Sequence, residues 1–167
     1  MKAICCVDTN WGIGKDNELL YHISSDLHHF KELTIERTII MGSRTLASLP
    51  HGQPLPRRRN LVLSTNPALD RINDIQRFAT IKELLDFIDQ DSKQGENEFW
   101  VIGGASVYEQ LLPFCNEVHV TKVADSSKQP DRFFPNLDTA PDWQLSYQSD
   151  PKTENDLSYT LCIYKRV

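Results

Sequence analysis

FWVIGGASVY, at residues 99–108, is the stretch that decides the fold of this chain. An apolar, β-prone run stops at two adjacent glycines, Gly103 and Gly104, and passes into Ala105–Leu112, which has a helical pattern. Adjacent glycines let the backbone turn sharply and let another molecule approach the main chain closely. The free amides at the start of the following helix suit a phosphate. Two interpretations stay open, a plain connection and a phosphate cradle, since short glycine motifs are common.

The composition is that of an ordinary globular protein. A length of 167 residues suits one domain over residues 1–167, with 40% hydrophobic and 25% charged residues. A formal net charge of −5 argues against nucleic-acid binding, and the short basic cluster Arg57–Arg59 does not reverse that. No run approaches the length of a transmembrane helix, and the N-terminus lacks the layout of a signal peptide. We therefore expect neither a nucleic-acid nor a membrane partner.

The cysteines indicate no metal site and no disulfide framework. None of the four has CxxC spacing or a histidine pair nearby. Cys5 and Cys6 fall inside one apolar strand, where adjacent side chains point to opposite faces. Buried free thiols fit this pattern, and they are typical of a reducing, cytoplasmic location. The cysteines are Cys5, Cys6, Cys115 and Cys162.

Short apolar runs alternate with helical patterns along the first two thirds of the chain. This alternation predicts an α/β fold with a predominantly parallel central sheet and helices on both faces. Thr80 with Glu83 predicts a capping box at the start of the third helix. The predicted strands are Ala3–Val7, Thr38–Met41, Leu61–Leu63, Phe99–Ile102, Val118–Val123 and Tyr159–Tyr164, and the predicted helices are Ser25–Leu33, Arg44–Leu49, Ile81–Ile88 and Ala105–Leu112.

The final third of the chain changes character. Trp143–Gln148 and Ser158–Arg166 are strand-like and flank the polar stretch Ser149–Leu157. This arrangement predicts an antiparallel C-terminal edge on the sheet. Near the other end of the chain, residues Asp8–Ser24 are predicted to form a long loop, and such loops are often functional.

An amphipathic pattern marks the helix that carries Asp26. Leu27, Phe30 and Leu33 (or Thr34) form its apolar stripe. Asp26 precedes Phe30 by four residues, so its carboxylate falls on or beside that stripe. One interpretation is an acid that complements the helix dipole beside a serine cap. The other is a carboxyl with a raised pKa that exchanges a proton with a bound ring.

Two more strand ends carry groups that suit phosphate. Met41–Thr45 repeats the order of strand, glycine and helix start, and it includes the cation of Arg44. Ser64 and Thr65 follow the next predicted strand. Each signal is weak alone, because serine and threonine are routine caps and turn formers. Ligands in α/β sheets bind outside the carboxyl ends of strands, and three such ends are present.

Two further signals are weak in isolation. Arg57–Arg59 precede a predicted strand, where such charges usually protect a solvated sheet edge. Alternatively, one guanidinium pairs with a ligand carboxylate through its planar fork. Thr121 faces the opposite side of its strand from Val118 and Val120, and a lone threonine there is usually a strand former.

Taken together, these segments resemble the dihydrofolate reductase family. They occur in the family's order and spacing, and the resemblance spans essentially the whole chain. So many ordered motifs are not expected by chance. The matching segments are Ile13–Asn17, Asp26–Lys31, Ile39–Thr45, Pro54–Asn60, Leu63–Ser64, Val101–Tyr108, Thr121 and Phe133–Pro135.

The resemblance implies an NADPH-dependent reductase that acts on 7,8-dihydrofolate and supplies one-carbon metabolism. Hydride passes from the nicotinamide to C6, and Asp26, the only acidic group in the pterin pocket, promotes protonation of N5 with a water. A cytoplasmic monomer is also implied, with the folate substrate and antifolate inhibitors as its partners. This chemistry agrees with the residues, because two flat rings in a dry cleft need only orientation and one proton.

The resemblance also assigns roles to particular residues. Arg58 grips the glutamate α-carboxylate of folate. Arg44, Ser64 and Thr65 take the 2′-phosphate and so favour NADPH over NADH. The loop around Trp11–Leu20 closes over the nicotinamide and excludes water during transfer.

Three sets of site residues follow, and no metal site is among them. The expected catalytic residues are Asp26, Tyr21 and Thr121. The expected substrate-binding residues are Ile4, Cys6 (through its backbone), Leu27, Phe30, Lys31, Leu49, Arg58 and Ile102. The expected cofactor-binding residues are Cys6, Ile13, Gly14, Asn17, Leu19, Gly42, Arg44, Thr45, Leu63, Ser64, Thr65, Ile102, Gly103, Gly104, Ala105, Ser106, Val107 and Tyr108, with a cis peptide bond between the two adjacent glycines.

The chain departs from the family pattern at four places. Leu20 and Tyr21 replace the usual Pro-Trp, and the tryptophan normally helps to order a water near the acid. The Tyr21 hydroxyl is expected either to replace that function or to weaken the network. Ser43 stands where a basic residue is usual, Pro130 stands where many bacterial members have glycine, and His51–Gln53 looks like a one-residue expansion.

Two rival functions were open from the sequence. The pyrimidine reductase of riboflavin synthesis shares the architecture, but Asp26 beside Phe30, together with Arg58, favours folate over a phosphorylated ribitylamino-pyrimidine. A non-catalytic nucleotide-binding protein would need Gly103–Tyr108 but would have no use for Asp26.

Overall fold

A nine-stranded mixed sheet forms the centre of the computed structural model, which describes residues 1–167. Three shorter strands form a second sheet, and four α-helices complete the fold. The strands are β1 (Lys2–Val7), β2 (Gly12–Lys15), β3 (Glu18–Leu19), β4 (Thr38–Gly42), β5 (Arg59–Leu63), β6 (Ile75–Phe78), β7 (Phe99–Gly103), β8 (Glu117–Val123), β9 (Arg132–Phe133), β10 (Trp143–Gln148), β11 (Lys152–Glu154) and β12 (Leu157–Arg166). The helices are α1 (Ser24–Thr34), α2 (Ser43–Ser48), α3 (Ile81–Ser92) and α4 (Ala105–Leu111).

The strand order across the large sheet is β10-β12-β8-β1-β7-β4-β5-β6, with β11 paired to β12. The six strands from β8 to β6 run parallel. At the other side, β12 is antiparallel to β8, and both β10 and β11 are antiparallel to β12. The predicted parallel sheet with an antiparallel C-terminal edge is therefore confirmed. Because parallel strands end at one edge, the carboxyl ends of β1, β7, β4 and β5 lie side by side.

Alternate side chains of the sheet belong to two separate cores, one on each face. Cys5 joins a core with Leu84 of α3, and α4 packs into the same cluster. Its neighbour Ile4 joins the other core, with Leu46 of α2 and Phe30 of α1. Strands buried on both faces are typical of parallel sheets covered by helices. The expectation of helices on both faces is confirmed.

Several local features agree with the sequence. The capping box at α3 is present: the Thr80 hydroxyl accepts from the Glu83 amide at 3.2 Å, and the Glu83 carboxylate accepts from the Thr80 amide at 3.4 Å. All four cysteines are free thiols, three of them buried and Cys6 half-buried. No helix has the length and apolar character needed to cross a bilayer.

The prediction of one long loop over Asp8–Ser24 is wrong, because this segment contains β2 and β3. The Asp8 carboxylate accepts from the amides of Asn10 and Gly12 at 2.9 and 2.8 Å, which folds the chain back into β2. β2 then pairs with β9, with Gly12 opposite Phe133. A four-residue strand with two glycines carries little periodic signal, and its partner lies far along the chain.

The explanation of Arg57–Arg59 as charges on a sheet edge is also wrong. They lead into β5, which is an inner strand because β6 pairs along its outer side. Only four residues long, β6 was not predicted as a strand. Their partners in the structure, described with the site below, explain these three arginines instead.

Candidate active site

Asp26 lies in the first turn of α1 and its side chain meets the sheet. Its carboxylate accepts a hydrogen bond from the Thr121 hydroxyl at 2.5 Å, across 95 residues of sequence. Thr121 is only 4% exposed and pairs in register with Cys6 of the neighbouring strand β1. The structure thus brings together the acid and the threonine that the sequence singled out separately.

Burial dominates the electrostatics of this acid. It raises the pKa of Asp26, although the Thr121 hydrogen bond and the nearby His29 oppose the shift, and the charge of Glu154 adds to it. A carboxyl with a raised pKa is a better proton donor near neutral pH. Burial and the charge of Asp26 also raise the pKa of the Cys6 thiol, which therefore stays protonated.

Apolar side chains line the space beside Asp26. Phe30 and Leu33 of α1 pack against the core on their face of the sheet. Leu27 differs from the expected apolar stripe because it is 43% exposed, whereas Thr34, the expected alternative to Leu33, is buried. Lys31 is exposed on the same helix. The other apolar residues around this space are Ile4, Leu49, Leu55 and Ile102.

The three adjacent arginines differ in their partners. Arg57 pairs with Glu36 at 2.5 Å, and Arg59 pairs with both carboxylate oxygens of Asp91 at 2.9 and 2.6 Å. Arg58, between them, contacts no carboxylate. Two of the three charges are therefore matched by carboxylates of the chain, and the charge of Arg58 is not.

Arg58 is held in place by neutral oxygens. Its Nε donates to the Thr34 hydroxyl at 3.0 Å, and an Nη atom donates to the Pro56 carbonyl at 3.2 Å. The buried Asn60 side chain fixes the same turn, because it accepts from the Leu55 amide and donates to the carbonyls of Leu55 and Arg58. Burial lowers the pKa of Arg58. A partly desolvated guanidinium on a fixed turn suits a carboxylate ligand.

Two helices begin side by side at the carboxyl ends of β4 and β7. The peptide bond between Gly103 and Gly104 is cis, as the family resemblance implies. Neither α2 nor α4 has a side-chain cap at its start, so first-turn amides point outward at both. The packing is close: a Cβ on Gly42 would lie 3.1 Å from Val107, and one on Gly104 would lie 3.4 Å from the Thr45 hydroxyl. Glycine keeps this edge narrow and its amides accessible.

The donors at this edge fit the phosphates of a dinucleotide. Ala105 and Ser106 lie in the uncapped first turn of α4. Arg44 is exposed and forms no ion pair, and Ser64 and Thr65 follow the adjacent strand β5. Uncapped helix amides, hydroxyls and a free cation are the groups that bind phosphate in proteins.

Four side chains assigned to cofactor binding turn inward instead. Val107 and Tyr108 are buried, and the Tyr108 hydroxyl donates to the Ile4 carbonyl at 2.6 Å. Ile13 and Leu63 are partly buried against the core on the α3 and α4 face. Tyr108 therefore ties α4 to β1 beneath the site.

The segment around β2 reaches the same edge. The Asn17 amide donates to the Arg44 carbonyl at 3.3 Å, which joins this segment to α2. Gly14 pairs with Leu19 in the β2–β3 hairpin, and Leu19 is exposed. The predicted covering loop thus lies beside α2, whose first turn is expected to bind phosphate, and it forms a small sheet rather than a loop.

Tyr21 does not take the position expected for a catalytic hydroxyl. Its hydroxyl donates to the Asp125 carboxylate at 2.8 Å, and its ring is buried with Ile23, Val123 and Tyr159. Burial and the Asp125 hydrogen bond raise the pKa of Tyr21. Of the two expected outcomes, replacement of the tryptophan's function is the one that this contact disfavours, because Asp125, which the sequence did not mark, accepts from the Tyr21 hydroxyl.

The start of α1 also differs from the expectation of a serine cap. The helix begins at Ser24 with Ile23 as its N-cap and no side-chain cap within the segment. Glu154, at the end of β11, accepts from the Ser24 amide at 2.6 Å and from the Ser25 amide and hydroxyl at 3.3 and 2.5 Å. The capping group lies about 130 residues away, so no local pattern predicts it.

A second residue missed by the sequence is Arg77 on β6. It donates to the Ser64 carbonyl at 3.0 Å and pairs with both oxygens of Asp70 at 2.7 and 2.9 Å. Its charge is therefore already matched, whereas Arg44 forms no ion pair.

Comparison with known proteins gives the family. The dihydrofolate reductase family model matches residues 1–166. The chain is 35% identical to the dihydrofolate reductase of Bacillus subtilis, over 98% of this chain and 92% of that protein. It is 31% identical to dihydrofolate reductase type 3 of Salmonella typhimurium, over 88% and 85% of the two chains. A solved dihydrofolate reductase from Enterococcus faecalis, complexed with NADP(H) and RAB-propyl, superposes with a TM-score of 0.81 at 28% identity, covering 99% and 95%. The chain belongs to the dihydrofolate reductase family of enzymes.

Proposed function

We propose that this protein reduces 7,8-dihydrofolate to 5,6,7,8-tetrahydrofolate with NADPH. A hydride goes to C6 and a proton goes to N5, so that one NADPH and one proton are consumed for each product molecule. The observation that carries the proposal is the half-buried carboxyl of Asp26, which is hydrogen-bonded to Thr121 and lies on the helix that also carries the apolar Phe30 and Leu33. Such a carboxyl can hold a proton near neutral pH and release it to a ring nitrogen.

The cofactor is proposed to bind along the edge where α2 and α4 begin. NADPH supplies the hydride when it is bound. The uncapped amides of Ala105 and Ser106 face its pyrophosphate, and Arg44 with Ser64 and Thr65 holds the 2′-phosphate. These groups fix the position of the cofactor, and the apolar wall around Ile102 keeps water away from the reacting carbons.

The substrate is proposed to lie between α1 and the sheet. Phe30 and Ile4 provide a flat apolar surface for the pterin, and Asp26 hydrogen-bonds its polar edge. Arg58, which has no carboxylate partner of its own, holds the α-carboxylate at the far end of the cleft. Asp26 then promotes protonation of N5 through a water.

The wider setting is also proposed. The family model covers nearly the full chain, which supports one domain over residues 1–167. We expect a cytoplasmic monomer that supplies one-carbon metabolism and binds antifolate inhibitors, without nucleic-acid or membrane partners. Size-exclusion chromatography with light scattering tests the monomer, and inhibition by trimethoprim tests the antifolate site.

The direct test follows NADPH oxidation at 340 nm with and without dihydrofolate. We expect absorbance loss only with dihydrofolate, and we expect Asp26→Asn to slow it by about 10²–10⁴-fold at neutral pH. NADPH binding, followed by fluorescence, should be unchanged in that variant. Glu32→Gln, on the exposed face of the same helix, is the matched control and should retain full activity. No absorbance loss with the unmodified protein would overturn the proposed function.

A further inference from the structure

The hairpin of β11 and β12 contacts the helix that carries the proposed acid. Glu154 ends β11, pairs with Leu157 across the hairpin and places its carboxylate at the start of α1. Three donors from Ser24 and Ser25 converge on its two oxygens. Asp26 is the next residue along the chain, so these bonds fix the turn from which the acid projects.

We propose that Glu154 is a positioning residue for Asp26, which caps the first turn of α1 from the hairpin and places a second negative charge beside the acid. Only the expected effect of Glu154 on the reaction rate rests on the proposed function. Its structural basis is the set of three hydrogen bonds, which no other residue of the chain supplies to this helix start.

Two electrostatic effects of Glu154 act in the same direction. An uncapped helix start favours a negative charge in its first turn, and Glu154 takes up that attraction by binding the free amides. Its own charge then disfavours a second negative charge on Asp26, which raises the pKa of Asp26. In return, the hydrogen bonds from Ser25 and the two amides lower the pKa of Glu154, so the pKa values of the two carboxyls are moved in opposite directions.

The other groups around Asp26 do not replace this effect. Thr121 on β8 donates a hydrogen bond, and His29 on the same helix contributes a positive charge, and both favour the ionised acid. Cys6 on β1 stays a neutral thiol. Glu154 on β11 is thus the neighbouring charged group that favours the protonated acid.

The test compares Glu154→Gln with the unmodified protein over pH 5 to 9. Glutamine keeps a carbonyl acceptor for the serine donors but removes the charge. We expect the pH profile of hydride transfer to move to lower pH, with the rate at pH 8 reduced by about threefold and the rate at pH 5.5 nearly unchanged. Glu154→Ala should move the profile in the same direction and also speed hydrogen exchange at the amides of Ser24 and Ser25.

Asp156→Asn is the matched control. It removes one negative charge from the same hairpin. Asp156 forms no hydrogen bond or ion pair with α1, and asparagine tolerates the positive φ of that position. Its pH profile should match that of the unmodified protein. An unmoved profile in Glu154→Gln, or an equal movement in Asp156→Asn, would overturn the proposal.

A second measurement separates this proposal from the proposed function. Carbon-13 NMR titration of the Asp26 carboxyl, assigned with Asp26→Asn, needs no substrate and no turnover. We expect Asp26 to titrate at lower pH in Glu154→Gln than in the unmodified protein. If the protein is inactive but Asp26 still titrates at lower pH in Glu154→Gln, only the proposed function is contradicted. If the protein is active but the titration of Asp26 is the same in both proteins, only the proposed role of Glu154 is contradicted.

Discussion

At the scale of single residues, the site depends on which side chains are left without a partner. Arg57 and Arg59 form ion pairs, whereas Arg58 between them does not. Asp26 is half-buried and accepts from one hydroxyl donor, whereas the Tyr21 hydroxyl donates to Asp125 instead. The chemical type of each of these residues is visible in the sequence. Their partners are not, because every one of these contacts joins segments far apart in the chain.

The first prediction concerns the stability of Asp26→Asn. Burial raises the pKa of Asp26 in the folded state, so the folded protein binds this proton more tightly than the unfolded chain does. Ionisation above the unfolded pKa therefore destabilises the fold, and asparagine removes that cost while keeping an acceptor for Thr121. We expect a higher melting temperature at pH 8, by about 2–4 °C for each kcal/mol recovered. The gain should shrink as the pH falls to about 4, near the ordinary pKa of aspartate. A gain that is the same at both pH values would contradict this explanation.

The second prediction separates the neighbouring arginines. Arg58→Ala should raise the KM for dihydrofolate by about 10- to 100-fold, because a charge-assisted hydrogen bond to a carboxylate is lost. The KM for NADPH should not change. Arg57→Ala removes an exposed ion pair with Glu36 and should leave both constants within about twofold. Steady-state kinetics on both variants decides the assignment, and equal effects on dihydrofolate would refute it.

At the scale of elements, the helices and inner strands were predictable and the short strands were not. The seven longer strands and the four helices show clear periodicity or apolar runs, and the capping box of α3 lies within one segment. β2, β3, β6, β9 and β11 are two to four residues long, too short for a periodic pattern. The start of α1 also escaped prediction, because its cap comes from Glu154 on a different element.

The third prediction tests the small sheet. A Cβ on Gly12 would collide with the Pro130 ring, whereas a Cβ on Gly95 would meet nothing within 4 Å. Gly12→Ala should therefore lower stability by about 1–3 kcal/mol, since overpacking at a buried position forces its neighbours to move. It should also weaken NADPH binding, because β2 leads to Asn17 at the cofactor edge. Gly95→Ala is the control, with a change in stability below about 0.5 kcal/mol in denaturant titrations. Equal stability of the two variants would contradict the packing at Pro130.

At the scale of the whole molecule, the parallel sheet brings motifs that are far apart in the sequence to one edge of the sheet. The resemblance to a family, carried by ordered motifs over the whole chain, predicted this arrangement, and the sheet order confirms the fold. Periodicity alone gives strands and helices but not their order, because β1 pairs with β7 and β8 rather than with its neighbours in sequence. The order of strands is a property of long-range packing, which a local pattern does not encode.

Arg44 and Arg58, neither of which forms an ion pair, have a consequence for the rate at which ligands associate. The chain carries a formal net charge of −5, so an anionic ligand is repelled by the protein as a whole. Free cations at the two ends of the proposed cleft would give approaching anions a local attraction within that repulsion. Raising the salt from about 20 to 200 mM shortens the screening length and weakens this local attraction. The rate constant for NADPH association, measured by stopped flow, should therefore fall. Arg44→Ala should flatten that salt dependence. These two cations would then attract diffusing ligands as well as hold bound ones.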